Sequence, residues 1–193
     1  MQLSWSELAV LMESRRHVSP KWLVEPGPTA AQLHGMLTMA ATAPDHGRLT
    51  AWRFVIVPVE KRHLLAEAFS FALVERDPDA SPDQMNSARE KAFRAPLLML
   101  AIARLGRTQP DIPALERMVS MGCAVQNILL AAHALGFGTG LTSGRAMESP
   151  YLSSLFALAG GEFPVCFINI GTIGYCKVAS PLRPDPADFT TSL

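Results

Sequence analysis

The sequence lacks the features that define several protein classes. Its three cysteines, Cys123, Cys166 and Cys176, form no CxxC pair, so we expect buried thiols in a reducing compartment and no disulfide framework. Lysine plus arginine and aspartate plus glutamate each total 17, which leaves no net charge. This balance argues against nucleic acid or an anionic membrane surface as the main partner.

We expect neither a targeting segment nor a membrane-spanning segment in this sequence. The longest apolar stretch, residues 118 to 137, is interrupted by Ser120, Gln126, Asn127 and His133, which predicts a core helix and not a membrane span. At the N-terminus the basic residues follow the apolar ones, the reverse of a signal peptide. We therefore expect a cytoplasmic protein.

The hydrophobic and turn patterns predict one α+β domain. Ser4-x-x-Glu7 and Thr29-x-x-Gln32 are capping boxes that open two helices. Apolar runs over residues 52–57, 96–103, 137–142 and 165–173 predict strands, and a helix over 114–135 is apolar nearly all round. The resulting order, α-α-β-α-α-β-α-β-α-β, indicates a layered domain with a mixed central sheet.

Several catalytic patterns are missing or malformed. The five histidines have no metal-ligand spacing, and no G-x-S-x-G elbow is present. The glycines of Gly136–Gly140 leave a helix and enter a strand, the opposite of a dinucleotide fingerprint. Asp77-x-Asp79-x-Ser81 lacks the glycine and glutamate of a calcium loop.

Three short segments each allow more than one interpretation from their residues alone. Arg15-Arg16 either complements the dipole at a helix end or clamps a phosphate. Ser143-Gly144 is either a plain turn or a source of backbone amides in a ligand pocket. Asp45-His46 is a turn, an acid/base or metal site, or a pocket wall.

Taken together, these segments resemble the nitroreductase family of FMN-dependent oxidoreductases, in its short branch with a Pro-Asp-His motif. The most specific piece is the stretch from Met121 to Gly138, with Gly, Gln-Asn, Leu-Leu-Ala-Ala and Leu-Gly in the family's order. The other matching pieces are Arg15-Arg16, Ala43-Pro44-Asp45-His46, Trp52-Arg53-Phe54, Phe93-Arg94-Ala95-Pro96, Glu148-Ser149-Pro150, Gly171-Thr172 and Pro184-Asp185-Pro186. The resemblance covers almost the whole chain.

The resemblance implies a fold and a set of site residues. The fold would be a nitroreductase-like three-layer sandwich with a mixed, mainly antiparallel central sheet, in an intertwined homodimer. Residues 1–193 would form a single FMN-binding domain whose tail, from about 175 to 193, extends over the partner subunit. The residues so assigned to FMN are Arg15, Arg16, His17, Thr42, His46, Leu141, Thr142, Ser143 and Lys177. Those assigned to NAD(P)H are His133, Ala134, Leu135 and Gly136.

The activity implied by the resemblance passes hydride from NAD(P)H through flavin N5 to a small electron-poor acceptor, a nitroaromatic or a quinone. The protein would orient the reacting groups, exclude water and stabilise negative charge on the reduced flavin ring, and no catalytic side chain would be needed. The chain departs from the branch at His17, Ala51, Leu141 and Thr142. Two alternatives therefore stay open. One is a flavin-binding family member with weak or lost reductase turnover, and the other is a purely structural dimer.

Overall fold

The computed structural model describes residues 4–107, 111–175 and 183–193. The helices are α1 Trp5–Ser14, α2 Ala30–Ala40, α3 Arg62–Arg76, α4 Pro82–Glu90, α5 Ala114–Ala134 and α6 Pro150–Leu155. The strands are β1 Leu23–Val24, β2 Trp52–Ile56, β3 Leu97–Arg104, β4 Gly138–Thr142 and β5 Glu162–Ile173. Short 3-10 turns include His46–Arg48, Lys91–Phe93 and Arg145–Glu148.

The strands form one sheet around β5. β3 pairs with β5 and with β2, β4 also pairs with β5, and β1 pairs with the end of β5. All of these ladders are antiparallel, whereas the bridge between His17 and Thr139 is parallel. The predicted α+β architecture is confirmed.

The sheet is the middle of three layers because its central strands bury both faces. Met99, Ala101 and Ala103 of β3 pack in one cluster with α2 and α5. The alternate residues Leu98, Leu100 and Ile102 pack in the other cluster with α3 and α6. This alternation follows the two-residue period of a strand and accounts for the unbroken apolar run of β3.

The helix starts follow the predicted capping chemistry. The hydroxyl groups of Ser4 and Thr29 accept from the amides of Glu7 and Gln32, and both capping boxes are complete. A third box, Ser81 with Gln84, opens α4. α1 ends at Ser14, so Arg15 and Arg16 leave the helix in extended chain.

The structure differs from the sequence predictions at two strands. The strand expected from residue 165 begins at Glu162, because a register shift between Ala101 and Ile102 lets β3 pair with Pro164. The short strand β1 was not predicted, since two residues carry no periodicity.

The long helix α5 is buried along one face only. Leu115 is 81% exposed and Val119 is 66% exposed, although the sequence predicted a helix at the centre of the protein. Gly122 follows on the same face, with nothing within 4 Å of the position a Cβ would take. Among the described residues, no helix is both long and apolar enough to cross a membrane.

Candidate functional site

The segment after α1 crosses β4 at close range. The Val18 amide donates to the Thr139 carbonyl at 2.8 Å, which continues the bridge made by His17. At Gly140 a Cβ would collide with the Val18 carbonyl oxygen, and the ring of His17 lies 3.4 Å from that Cβ position. Only glycine allows this approach. The crossing fixes Arg15, Arg16 and His17 along one side of β4.

Two arginines meet at the start of this crossing. The Arg183 guanidinium donates to the Arg15 carbonyl at 3.1 Å. Burial, and then the nearby charge of Arg183, lower the pKa of the Arg15 guanidinium. No acidic side chain in the described part of the chain forms an ion pair with either arginine. Two cations are thus held together without an anion, an arrangement that a bound phosphate or carboxylate would stabilise.

The end of α5 borders the same region. Ser14, Arg15, Arg16 and His133 line a cavity of about 240 Å³ beside Gly138 and Thr139 of β4. The Ser14 hydroxyl donates to the Val10 carbonyl and lies 2.7 Å from Nε2 of His133. Because a hydroxyl has one hydrogen, the His133 ring must donate its Nε2 hydrogen to Ser14.

The remaining residues predicted to contact NAD(P)H lie at the same end of α5. Ala134 and Leu135 are exposed, and Gly136 takes a positive φ of 85°, as expected at a helix C-terminus. Through His133 they adjoin residues 15–17, which we call the arginine segment. Their contact with a nicotinamide cofactor stays a prediction.

A second cavity opens at the other end of β4. It has a volume of about 280 Å³ and includes Thr142, Ser143 and Gly144. Gly144 takes a φ of 133°, a conformation that favours glycine. Apolar side chains of Phe69, Leu73, Leu98 and Phe167 line its interior. Leu141, which precedes these residues, is exposed.

Four cationic residues line this second cavity: Arg76, Lys91, Arg94 and Arg145. Within the described residues, none of the four forms an ion pair with a carboxylate. Because the whole chain is electrically neutral, four uncompensated cations at one cavity create a locally positive potential. We call this feature the cationic cavity.

Two residues that the sequence analysis missed support the cationic cavity. Asn169 is only 2% exposed, and its amide donates to the Gly140 carbonyl and the Thr142 hydroxyl at 3.1 Å each. An asparagine within the apolar run of β5 was the available signal. The buried Arg62 donates to the carbonyls of Ala92, Ala95 and Pro96, and so holds the turn that carries Lys91 and Arg94.

Two predicted residues lie elsewhere in the chain. Thr42 accepts from the Asn127 amide at 3.2 Å, and His46 lies 2.8 Å from Glu116. Glu116 is in the first turn of α5 and His133 is in its last turn, so about 25 Å of helix separates His46 from the arginine segment. One chain does not bring these two groups together.

Two remaining predictions concern metals and the tail. Within the described ranges, no three His, Cys, Asp or Glu side chains gather as a metal site would require. Lys177, predicted to bind the FMN phosphate, lies outside the described residues. The buried thiol of Cys166 has a pKa raised to about 11 by desolvation, as expected of an inert core cysteine.

Comparison with known proteins identifies the family. The sequence model described as "Nitroreductase family" matches residues 12–172. The chain is 34% identical to the Escherichia coli K12 protein named "Putative NAD(P)H nitroreductase YdjA", covering 94% of this chain and 96% of that protein. It is 32% identical to the Haemophilus influenzae "Putative NAD(P)H nitroreductase", covering 91% and 94%.

Solved structures agree at the level of the fold. A nitroreductase-like family protein from Bacillus cereus superposes with a TM-score of 0.82 at 18% identity, covering 100% of this chain and 99% of that one. The FMN-dependent nitroreductase NfnB from Mycobacterium smegmatis, solved with NADPH, gives 0.74 at 15% identity, covering 96% and 97%. This chain belongs to the nitroreductase family.

Proposed function

We propose that the chain is an FMN-dependent oxidoreductase that passes hydride from NAD(P)H to a small electron-poor acceptor, such as a nitroaromatic or a quinone. The names of the curated relatives support the NAD(P)H part, and those of the structural neighbours support FMN. We propose a single FMN-binding domain over residues 1–193. The cysteine usage alone supports a cytoplasmic location.

The observation that carries the proposal is the pair of uncompensated arginines. Arg15 and Arg183 are held against each other by the chain, and burial, followed by the charge of Arg183, lowers the pKa of Arg15. Guanidinium groups bind phosphate through paired N–H donors, so the FMN phosphate fits this position. Arg16 and His133 line the adjoining cavity. The donor set is therefore suited to the phosphate end of FMN.

β4 gives the direction in which the rest of the cofactor would extend. Its start, at Gly138 and Thr139, borders the arginine segment, and its end borders the cationic cavity. The positive φ of Gly144, with nothing within 4 Å of the position a Cβ would take, leaves room for a planar ring beside Leu141, Thr142 and Ser143. The bond from Asn169 fixes the Thr142 hydroxyl at this place.

When bound, FMN supplies the hydride exchange between NAD(P)H and the acceptor. The side chains around it hold the ring in place, exclude water and stabilise negative charge. Lys91, Arg94 and Arg145 of the cationic cavity can supply the positive charge that Leu141 and Thr142 do not. This observation favours an active reductase over the alternative with lost turnover.

The active unit would be a homodimer. Leu115, Val119 and Gly122 form an exposed apolar face on α5, and α1 buries none of its residues within one chain. A second copy packed on these surfaces would remove the apolar area from water. It would also supply His46 and Thr42 to the other subunit's cofactor, and the tail from about 175 to 193 would cross the partner.

The test is FMN content together with the reductant that bleaches it. The purified protein should be yellow and should release FMN on denaturation. NADH or NADPH should bleach it under anaerobic conditions, and a quinone or nitroaromatic should restore the colour. A colourless protein that cannot be reconstituted with FMN would refute the function.

A matched pair of variants tests the phosphate position. Arg15→Ala should weaken FMN binding by about tenfold to a hundredfold, the expected loss for a charged hydrogen bond of about 1.5–3 kcal/mol. Arg89→Ala is the control, since Arg89 pairs with Glu67 on the surface. Equal FMN affinity in the two variants would contradict the assignment of the phosphate to Arg15.

A further inference from the structure

His46 and Glu116 form a carboxylate–histidine pair at the surface of the chain. Nδ1 of His46 lies 2.8 Å from Oε2 of Glu116, and both side chains are at least half exposed. An ionised carboxylate only accepts hydrogen bonds, so Nδ1 must carry the hydrogen. Nε2 is then the free nitrogen of the ring. It is an acceptor in neutral imidazole and a donor in imidazolium.

The loop around His46 is fixed in an unusual conformation. Arg48 and Thr50 take φ values of 53° and 47°, a region that β-branched residues such as Thr50 rarely adopt. The Asp45 carboxylate accepts from the Thr50 amide at 2.7 Å, and the Asp45 carbonyl accepts from the Arg48 amide at 3.1 Å. Such strain is retained mainly where function requires one geometry. The loop therefore presents His46 in a defined position.

Glu116 lies beside the exposed apolar face of α5. Leu115, Val119 and Gly122 follow each other at intervals of four and three residues, the spacing of one helical face. The open glycine in this row lets another helix approach closely. A second copy on this face would enclose the pair of His46 and Glu116 at the subunit interface.

We propose that protonated His46, oriented by Glu116, is the proton donor to the acceptor reduced in the partner subunit's site. This inference rests on the proposed function. Two-electron reduction of a quinone takes up one hydride, which comes ultimately from NAD(P)H, and one proton. Nε2 of His46 gives that proton to a quinone oxygen, and the products are the hydroquinone, NAD(P)⁺ and neutral imidazole. Solvent then protonates the ring again.

Glu116 contributes by fixing the tautomer and by stabilising the imidazolium. The charged groups on the loop of His46 are Asp45 and Arg48, and Asp45 is committed to the Thr50 amide. From α5, the charged side chain that faces the ring is Glu116, since Arg117 is directed to the carbonyls of Arg104, Leu105 and Gly106. Glu116 is therefore a positioning residue, and His46 is the catalytic acid.

The first test is independent of turnover. At a pH where the ring is neutral, nitrogen-15 NMR of the protein as purified should show the single ring hydrogen of His46 on Nδ1. Glu116→Gln should shift the tautomer towards Nε2–H, whereas the control His63→Gln, on an exposed face of α3, should not. A neutral His46 ring whose only hydrogen is on Nε2 in the unaltered protein would overturn the proposal.

The second test separates proton transfer from electron transfer in the FMN-loaded dimer. Ferricyanide accepts single electrons and needs no proton, whereas a quinone needs one. Per bound FMN, the ratio of quinone to ferricyanide kcat/KM should fall by about a hundredfold in His46→Gln and by about tenfold in Glu116→Gln, within the range for acid catalysis. The solvent isotope effect on quinone reduction should disappear in His46→Gln.

The outcomes distinguish this inference from the function on which it rests. If ferricyanide and quinone turnover fall together in both variants, His46 and Glu116 act on cofactor binding or structure, and the acid role is wrong. Equal quinone kcat/KM in His46→Gln and His63→Gln would also exclude it. If the unaltered protein binds no FMN and reduces neither acceptor, both the proposed function and the inference fail.

Discussion

The bond network around Glu162 predicts a measurable loss of stability in acid. The Arg53 guanidinium donates to both oxygens of Glu162, at 2.8 and 2.7 Å, and Arg104 donates at 3.3 Å. The Ala159 amide donates at 3.2 Å. The Glu162 side chain is 11% exposed, so these contacts are largely shielded from water. These hydrogen bonds lower the pKa of Glu162 to about 2 from an ordinary 4.5, and the bonding to Arg53 has the largest effect.

The size of the effect follows from the two pKa values. A decrease from 4.5 to about 2 in the folded state corresponds to about 3 kcal/mol of stability at neutral pH. Because the folded pKa is the lower one, this stability is present above pH 4.5 and is lost as the pH falls towards 2. By pH 3.5 the carboxylate should have lost about 1.4 kcal/mol of its contribution.

The assay compares the unaltered chain with Glu162→Gln in urea unfolding followed by circular dichroism. All measurements use one protein concentration, since association adds to apparent stability. The variant should be less stable at pH 7 by about 2–3 kcal/mol, and the difference should narrow by about 1.4 kcal/mol at pH 3.5. Glu67→Gln, which breaks the exposed pair with Arg89, should cost less than about 1 kcal/mol. A difference for Glu162→Gln that stays constant from pH 7 to 3.5 would refute the reasoning.

Three further predictions test the site and its assembly. Gly140→Ala should lower the free energy of unfolding by about 1–3 kcal/mol, because the new Cβ meets the Val18 carbonyl, whereas Gly35→Ala, with open space around it, should not destabilise. Lys91→Ala should lower the flavin reduction potential measured by redox titration, by about 30 mV for each tenfold loss of preference for the reduced form. An unchanged potential would show that Lys91 does not stabilise the reduced flavin. In analytical ultracentrifugation, Gly122→Trp should convert the proposed homodimer to monomer and reduce FMN content with it, while an intact dimer would contradict the use of this face.

Local chemistry made the fold predictable from the sequence. Hydroxyl caps at Ser4 and Thr29 act within one helical turn, and both helix starts are found as expected. Apolar runs identified β3 because both of its faces are buried. The start of β5 was not predicted correctly, because Pro164 argues against a strand unless a register shift accommodates it.

The site was less predictable because its members come from distant segments. The cationic cavity gathers Arg76, Lys91, Arg94 and Arg145 from helix ends and turns, where isolated cations are ordinary surface residues. Nothing in the spacing of Arg15 and Arg183 indicates that they meet. The bond between His46 and Glu116 joins residues 70 positions apart, so only the folded chain could identify the partner.

The geometry of α5 explains why the proposed site needs two chains. Its last turn carries His133 beside the arginine segment, and its first turn carries Glu116 with His46. If two copies of α5 pack antiparallel about a two-fold axis, residues equally distant from the axis on opposite sides face each other. An axis near residue 124 brings Glu116 of one copy opposite His133 of the other, and the open Gly122 lies within a turn of that axis. One antiparallel contact of this kind would account for the exposed face, the open glycine and the separation of the two proposed half-sites.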